Sequence, residues 1–231
     1  MRKIKKIGLL VIAVIVVLVG LWMYHAHGLY KKSYRSEYYY VITVQSNSIL
    51  HDVTLFVPIP LFEEESKIGD EIMAGNASKP DDWDCHIIET EHGKMLEISV
   101  AKITPVLVSE GISANVEVDR DITTKNPVGN EPLLSPEYNL TRSTCELPYP
   151  EGRVPPNCYE YKSRIYADYT ASPDAAVSIY IELRGENSWW VYGWSSNYYH
   201  DRIRITFTGE QHGWYIASGK LVEGEGRYGW I

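Results

Sequence analysis

Beyond residue 36, apolar and polar residues alternate with a period of two along most of the chain. The clearest apolar faces lie in two segments and are formed by Ile112, Ala114, Val116, Val118, Val177, Ile179, Ile181 and Leu183. Strict alternation is typical of a β-strand with one dry face and one wet face. Roughly nine to eleven such segments, separated by turn residues, predict an all-β fold: an antiparallel β-sandwich of immunoglobulin-like or jelly-roll-like type.

Turn residues between the alternating segments predict how consecutive strands connect. EYYYVITVQ and ILHDVTLFVPIP, separated by SNS, predict a first hairpin, and DWDCHIIETEHGKMLEISVAKI predicts a second. Near the C-terminus, AVSIYIELR, SWWVYGW and DRIRITFTG are predicted strands, with GEN and SSN as the turns between them. LFEEESKIGDEIM has a helical pattern, and Gly69 and Gly75 keep that predicted helix short.

Residues 124–157 break the alternation. Seven of the twelve prolines fall in this segment, and proline removes the backbone donor that a strand ladder needs. We therefore predict a long, strand-free, proline-rich loop, of a kind that is often functional. Cys145 and Cys158 lie at its end, and outside the cytoplasm such a pair oxidises, so we predict a disulfide between them. Cys85 is then free or buried, although sequence alone does not fix the connectivity of three cysteines.

The first 24 residues carry a different pattern. Four basic side chains in MRKIKK precede an uncharged run of 18 residues, Ile7–Tyr24. As a helix this run rises about 27 Å, which nearly matches a bilayer core of about 30 Å. Trp22 and Tyr24 lie at its outer end, where amphipathic rings prefer the headgroup layer. The predicted segments are a cytoplasmic tail (1–6), a transmembrane signal anchor (7–24), a juxtamembrane linker (25–36) and an extracytoplasmic domain (37–231).

The charges around this anchor predict its orientation. Basic residues before the span place the N-terminus in the cytoplasm under the positive-inside rule, although Lys31, Lys32 and Arg35 on the far side weaken the bias. Ala26-His27-Gly28 fits a small-x-small cleavage site, so removal of the segment as a signal peptide stays an open alternative. The expected location is the cell membrane, crossed once, with the domain outside.

Charge is distributed unevenly along the chain. Residues 1–35 contain seven basic side chains and no acidic one, which leaves 15 basic and 30 acidic side chains in residues 36–231. The net charge of that part is therefore −15. Binding to nucleic acid depends on Lys and Arg replacing condensed counterions, so the charge excludes nucleic acid as a partner.

The segment NSWWVYGWSSNYYHD concentrates three tryptophans and three tyrosines. In a regular strand Trp190, Tyr192 and Trp194 share one face, and Trp189 lies on the other. The first interpretation is that these three rings belong to the core and that a loop covers Trp189. The second is a stacking platform for carbohydrate, and the third is a protein contact. Hydrogen-bonding groups beside such a platform are Asn187, Asn197, His200 and Asp201.

Few other residues suggest chemistry. Asp81, Asp82 and Asp84 in PDDWD offer oxygen ligands that suit calcium, although acids near a turn are more often simply solvated. His200 and Asp201 are strand neighbours that point to opposite faces, so by themselves they do not pair as a base and its orienting acid. GWSSN misses the nucleophile-elbow pattern at its last position. No cofactor is predicted beyond this candidate calcium site.

These observations favour a non-enzymatic function. We expect a membrane-anchored β-sandwich that serves binding, adhesion or envelope structure, with a protein or a glycan as partner. The first alternative is a carbohydrate-binding module that uses the C-terminal aromatic face. The second is a metal-dependent or hydrolytic enzyme built on His200, Asp201 or the Asp81–Asp84 segment. Asn76 and Asn139 begin N-x-S/T sequons and would accept glycans in a host with the machinery.

Overall fold

The computed structural model of the protein describes residues 2–105, 110–145 and 156–229. Within these ranges two helices accompany eleven strands. In chain order they are α1 (Arg2–Ser33), β1 (Arg35–Ser46), β2 (Leu50–Leu61), α2 (Lys67–Met73), β3 (Asp84–Thr90), β4 (Gly93–Ile103), β5 (Glu110–Val118), β6 (Leu133–Ser135), β7 (Tyr138–Ser143), β8 (Asn157–Thr170), β9 (Ala176–Trp190), β10 (Trp194–Thr208) and β11 (Gln211–Gly226).

The strands form one antiparallel, curled sheet. Nine of them follow the order β3-β4-β2-β8-β11-β10-β9-β1-β5, while β6 pairs with β2 and β7 pairs with β8. The predicted antiparallel β-sandwich behind one N-terminal helix is therefore confirmed. The predicted apolar faces are also confirmed at their best-defined positions, because Ile112, Ile179, Ile181 and Leu183 are all fully buried.

Helix α2 lies where the two ends of the curled sheet approach each other. It contacts β5 at one end of the strand order and β2 and β3 near the other end. Ile68 and Ile72 of α2 are buried in the same apolar core as the strands. The Ser66 side chain accepts a hydrogen bond from the Gly69 N–H at 3.0 Å and so caps the start of the helix. The predicted short helix is thus confirmed and closes the sheet over the core.

The predicted first hairpin is wrong, because β1 and β2 do not pair with each other. β1 pairs with β5 and β9, whereas β2 pairs with β4, β6 and β8. The turn after β1 is tied to β9 instead, through an Asn47 N–H to Ala176 O bond of 3.2 Å. Across the core, the Tyr40 hydroxyl donates to Pro58 O at 2.6 Å. Two alternating strands joined by a short turn can pair or can cross between layers, and the local pattern is the same in both cases.

The predicted GEN and SSN turns are also wrong, because both lie inside strands. β9 continues through Gly185-Glu186-Asn187, and β10 begins before Ser195-Ser196-Asn197. The Asn187 amide is buried and fully used: it accepts from Ser36 Oγ at 2.7 Å and donates to Ile122 O at 2.8 Å. Polar residues that resemble a turn are therefore satisfied inside the sheet by distant partners.

Two boundary predictions differ from the structure. The proline-rich segment 124–157 was expected to contain no strand, but β6 and β7 both form within it. Both are short and lie beside β2 and β8, where a few residues between prolines suffice for pairing. The segment 25–36 was predicted to be a linker. It continues α1 as far as Ser33, and β1 begins at Arg35.

Candidate functional site

The last turns of α1 pack against the end of β9, and we call this contact the helix–hairpin junction. Trp189 of β9 is buried there, and Ala26 of α1 is also fully buried. Trp189 stacks on Tyr34 with ring centroids 6.2 Å apart, and Tyr30 meets it edge-on at 5.8 Å. Ser33 Oγ accepts from the Trp190 N–H at 2.8 Å. The helix is therefore held to the sheet by aromatic packing and a hydrogen bond, as well as by the chain itself.

The five residues Trp190–Trp194, which we call the aromatic hairpin, join β9 to β10. Trp190 and Trp194 are opposite each other as the last paired residues of the two strands. Tyr192 lies between them at the tip with a φ of 54°. SWWVYGW was predicted to be one strand, and this is wrong because the chain reverses at its centre. The three rings therefore surround a tip instead of forming one row along a strand.

The aromatic hairpin is exposed, so the interpretation of its rings as core residues is wrong. Trp190, Tyr192 and Trp194 are 37 %, 54 % and 64 % exposed. Trp189, for which a loop cover was expected, is 2 % exposed and is covered by α1. The hairpin reversal moves the rings beyond the end of the core, which is why strand alternation misplaces them.

The tip of the aromatic hairpin lies beside α1, toward its apolar part. The Tyr192 ring stacks on Trp22 with centroids 6.1 Å apart and planes 8° apart, and His25 is 6.3 Å away. The hairpin thus touches α1 at Ser33 and again at Trp22, eleven residues earlier. Those contacts are about 16 Å apart along the helix axis.

The exposed rings do not form a flat platform. The planes of Trp190 and Tyr192 are inclined by 56°. The Arg35 guanidinium lies 5.3 Å from the Trp194 ring centroid, a cation–π contact that occupies one side of that ring. Arg35 is also held by Ser188 Oγ, which accepts from its Nε at 3.2 Å.

Asn197 and His200, predicted to supply hydrogen bonds beside the aromatic face, are buried. Asn197 Oδ1 accepts from Thr124 Oγ1 at 2.8 Å and from Asn187 Nδ2 at 3.0 Å. His200 Nδ1 lies 2.7 Å from a carboxylate oxygen of Glu225 on the neighbouring strand. Both side chains therefore hold strands and loops together instead of facing the aromatic hairpin.

Asp201 is the most deeply buried acid of the described chain. Its carboxylate accepts from the Tyr161 hydroxyl at 2.5 Å and from the Leu134 N–H at 2.8 Å. Burial raises the pKa of Asp201 to about 7, although these two hydrogen bonds act in the opposite direction. Asp201 thus fixes β6 and β8 to β10. The sequence predicted Asp201 to be a hydrogen-bonding group beside the aromatic face, but its side chain is fully buried and bonds to Tyr161 and Leu134 instead.

A second polar group missed by the sequence analysis centres on Glu131. Arg120 donates to both of its carboxylate oxygens, at 2.8 and 2.7 Å, and the Tyr38 hydroxyl also donates to it. Burial alone would raise the pKa of Glu131, but the bonds from Arg120, Tyr38 and the Thr123 N–H lower it overall. The group ties the irregular segment after β5 to β1. Tyr38 is 93 residues from Glu131 in sequence, and no local motif marks the group.

The remaining candidate sites are exposed and separate. Asp81 and Asp82 lie in an exposed turn, and Asp84 of β3 contacts His86 at 3.2 Å. In residues 2–105, 110–145 and 156–229, no group of three or more His, Cys, Asp or Glu side chains is placed to hold a metal ion. The calcium site stays a prediction. Asn76 and Asn139 are exposed, so both sequons are accessible.

A second aromatic group lies on the outer face of β2, β8 and β11, and the sequence analysis did not single it out. Phe56 and Tyr166 stack with centroids 4.6 Å apart, and Trp214 contacts both rings. His92, in the turn between β3 and β4, meets Trp214 edge-on at 4.6 Å. All four side chains are partly exposed. We call this set the sheet-face aromatics.

No known protein-family model, curated protein or solved structure matches the chain. Cys145 and Cys158 form a disulfide, as predicted, and Cys85 is free and buried. Helix α1 contains one segment, Gly8–Ser33, that is long and apolar enough to cross a membrane. An apolar helix is thus docked to a disulfide-bearing β-domain, and exposed aromatic side chains lie beside it.

Proposed function

We propose that the protein is a single-pass membrane protein whose β-domain lies outside the cytoplasm and serves a non-enzymatic role in binding, adhesion or envelope structure. The observation that carries the proposal is the exposure of the apolar side chains of α1. Leu9 and Leu10 are 73 % and 67 % exposed, and every large apolar side chain from there to Tyr24 is exposed. A surface of this kind is suited to the hydrocarbon core of a bilayer.

The orientation rests on charge and on the disulfide. The four basic residues before the apolar run favour a cytoplasmic N-terminus. The Cys145–Cys158 disulfide favours an oxidising compartment for the domain. The alternative of a cleaved signal peptide would remove Trp22, which stacks on Tyr192, and Ala26, which is fully buried. These contacts favour retention of the helix.

A topology experiment tests this proposal. The full chain with a C-terminal epitope should resist extraction from membranes at high pH, and added protease should remove the epitope from the outside of intact cells. The intact mass should include residues 1–28. Release of a soluble chain that begins after Gly28, or an epitope protected inside the cell, would contradict the anchor or its orientation.

A charge placed in the span provides a matched pair of variants. Val16→Arg should cost about 2.5–3.5 kcal/mol of insertion free energy and shift part of the chain out of the membrane fraction. Val16→Leu keeps the position apolar and should behave as the unmodified chain does.

The non-enzymatic part of the proposal is supported by the surroundings of His200 and Asp201. Asp201 is fully buried and holds Tyr161 and Leu134, while His200 faces Glu225. Neither side chain is thus presented to a substrate. Hydrolytic activity of the purified full chain that disappears in His200→Gln, with the fold intact, would contradict this assignment.

Carbohydrate binding is a second candidate function, favoured by the exposure of the three rings of the aromatic hairpin. The 56° between Trp190 and Tyr192 favours contact with separate rings over one flat stack. Polysaccharides should then quench the tryptophan fluorescence of the full chain, and Trp194→Ala should abolish the response while Trp214→Ala retains it. Loss of the response in Trp214→Ala alone would move the site to the sheet-face aromatics. No response to any polysaccharide would end this candidate.

A further inference from the structure

We propose that the aromatic hairpin is a second membrane contact, which inserts Trp190, Tyr192 and Trp194 into the headgroup layer of the bilayer that α1 crosses. The inference rests on the proposed anchoring of α1. It adds that the β-domain lies against the membrane surface in one orientation instead of extending freely from a flexible stalk.

The depth of the hairpin tip follows from its contact with Trp22. Trp22 lies two residues before the end of the uncharged run Ile7–Tyr24, which as a helix spans about 27 Å and so nearly fills a hydrocarbon core of about 30 Å. Tyr192 stacks directly on Trp22. When the run spans the core, Trp22 is at the outer interface, and the Tyr192 ring is therefore at the same depth.

The direction of the hairpin supports the same conclusion. From Ser33 to Trp22 the contacts of the hairpin follow α1 toward its apolar part, over about 16 Å of helix. Ala26 is buried between these two contacts. The hairpin is thus held against the helix at several points, and its tip is the part of the domain that reaches closest to the apolar run among the contacts described.

The chemistry of the tip fits the headgroup layer. Trp and Tyr concentrate at membrane interfaces because their rings are apolar and each carries a polar group that stays hydrated. Lys31, Lys32 and Arg35 are exposed on the domain side of Trp22 and supply positive charge that faces an anionic membrane surface. Residues 36–231 carry a net charge of −15, so the rest of the domain is poorly suited to a phosphate surface. The planes of Trp190 and Tyr192 are inclined to each other by 56°, an arrangement that suits contact with a fluid lipid layer better than it suits stacking on a single flat ligand.

The test uses the full chain in lipid nanodiscs with a spin label at one cysteine. Cys85→Ala removes the free thiol, and labelling without reductant leaves the Cys145–Cys158 disulfide intact. Labels are placed at Tyr192→Cys or Trp194→Cys. The control is Asp174→Cys, an exposed residue beyond the opposite end of β9, roughly 50 Å along the chain from the hairpin. A third label, at Ile15→Cys, reports on the anchor itself.

Collisions with oxygen, which dissolves in lipid, and with a water-soluble nickel chelate locate each label. At Ile15→Cys and at the hairpin the ratio of oxygen to nickel accessibility should exceed that at Asp174→Cys severalfold, with the hairpin between the other two. Suppose that the hairpin label is as accessible to nickel as the label at Asp174→Cys, while the label at Ile15→Cys is exposed to lipid. This result would overturn the hairpin contact and leave the anchor in place. A hairpin label shielded from both reagents would overturn it in favour of a protein contact. A nickel-accessible Ile15→Cys would overturn the anchor, and the hairpin contact with it.

A second measurement avoids a cysteine at the hairpin. Nanodiscs that contain lipids brominated near the headgroups should quench part of the tryptophan emission of the unmodified chain. Trp190→Phe with Trp194→Phe keeps the ring character of the hairpin and should lose a large part of that quenching. Replacement of Trp214, one of the sheet-face aromatics, should leave unchanged the part of the tryptophan emission that the brominated lipids quench. Equal quenching in all three proteins would contradict the insertion of the hairpin.

Discussion

At the residue scale, two buried tyrosines lie over glycines of the neighbouring strand. The Tyr199 ring covers Gly185, and the Tyr161 ring covers Gly219, so closely that a Cβ at either glycine would collide with the ring. Both tyrosines also use their hydroxyls: Tyr199 donates to Pro132 O at 2.7 Å, and Tyr161 donates to Asp201. Glycine often marks a turn in a sequence, but at these two positions it is required inside a strand because a tyrosine ring lies directly against it.

Replacement of Gly185 tests this close approach. Gly185→Ala should lower the free energy of unfolding by about 1–3 kcal/mol, because the new methyl group displaces a packed ring and its hydrogen bond. Chemical unfolding of the detergent-solubilised chain measures the change. Gly193→Ala is the control, because nothing lies within 4 Å of a Cβ there. Equal stability of the two variants would show that Tyr199 moves without cost.

Asp201 makes the stability of the fold depend on pH. Its pKa is about 7 in the folded chain because of burial, against about 4 in an unfolded chain. Between about pH 4 and pH 7 the folded chain binds a proton at Asp201 more tightly than the unfolded chain does. The stability that this proton contributes is therefore fully present near pH 4 and is lost as the pH rises through 7.

Asp201→Asn removes this titration and keeps an oxygen to accept from the Leu134 N–H. The variant should gain stability relative to the unmodified chain as the pH is raised from 4 to 8, by up to about 4 kcal/mol. Urea unfolding at a series of pH values gives the difference. A difference that stays constant with pH, or that changes in the opposite direction, would contradict the buried, proton-binding state of Asp201.

At the element scale, a short and irregularly paired strand, β7, is reinforced covalently. β7 pairs with β8 through a register shift between Tyr138 and Thr141, and most of its residues are exposed. The Cys145–Cys158 disulfide joins the chain just beyond β7 to the second residue of β8. The bond therefore limits how far β7 can separate from β8 in the folded state and reduces the freedom of the unfolded chain.

Removal of this disulfide should loosen β7 before the rest of the sheet. Cys145→Ser with Cys158→Ser should lower the free energy of unfolding by about 3 kcal/mol, as expected for a loop of this length. Amide hydrogen exchange should rise in β7 and change little in β9. Reductant should reproduce the effect in the unmodified chain and leave the double variant unchanged. Uniformly faster exchange in all strands would contradict a local role.

At the scale of the whole molecule, closure of the sheet depends on seven helical residues. α2 contacts β5 at one end of the strand order and β2 and β3 near the other, and its Ile68 and Ile72 reach the common core. Without a covering element, a curled sheet that is not closed by pairing of its end strands, β3 and β5, would expose its apolar face at the gap between them. α2 lies at that position, so we expect a local change there to affect both ends of the sheet.

Ile68→Ala tests the closure. Loss of this buried side chain should lower the free energy of unfolding by about 2–5 kcal/mol. Hydrogen exchange should increase in both β3 and β5, although these strands are not neighbours in the sheet. Met73→Ala, at an exposed position of the same helix, is the control and should have little effect. Faster exchange confined to α2 would show that the two ends of the sheet do not depend on it.

The sequence by itself determined the features that depend on neighbouring residues. The period-two apolar faces, the uncharged helical run and the nearby cysteine pair each follow from local spacing, and the structure confirms the β-fold, the apolar helix and the disulfide. Only the tertiary structure decided which strands pair, where β9 ends and which aromatic rings are exposed. The physical reason is distance along the chain: Ser36 satisfies Asn187 from 151 residues away, and Tyr199 covers Gly185 from the next strand. Polar residues and glycines at such positions resemble a turn in the sequence, and only their contacts with distant residues stabilise them inside a strand.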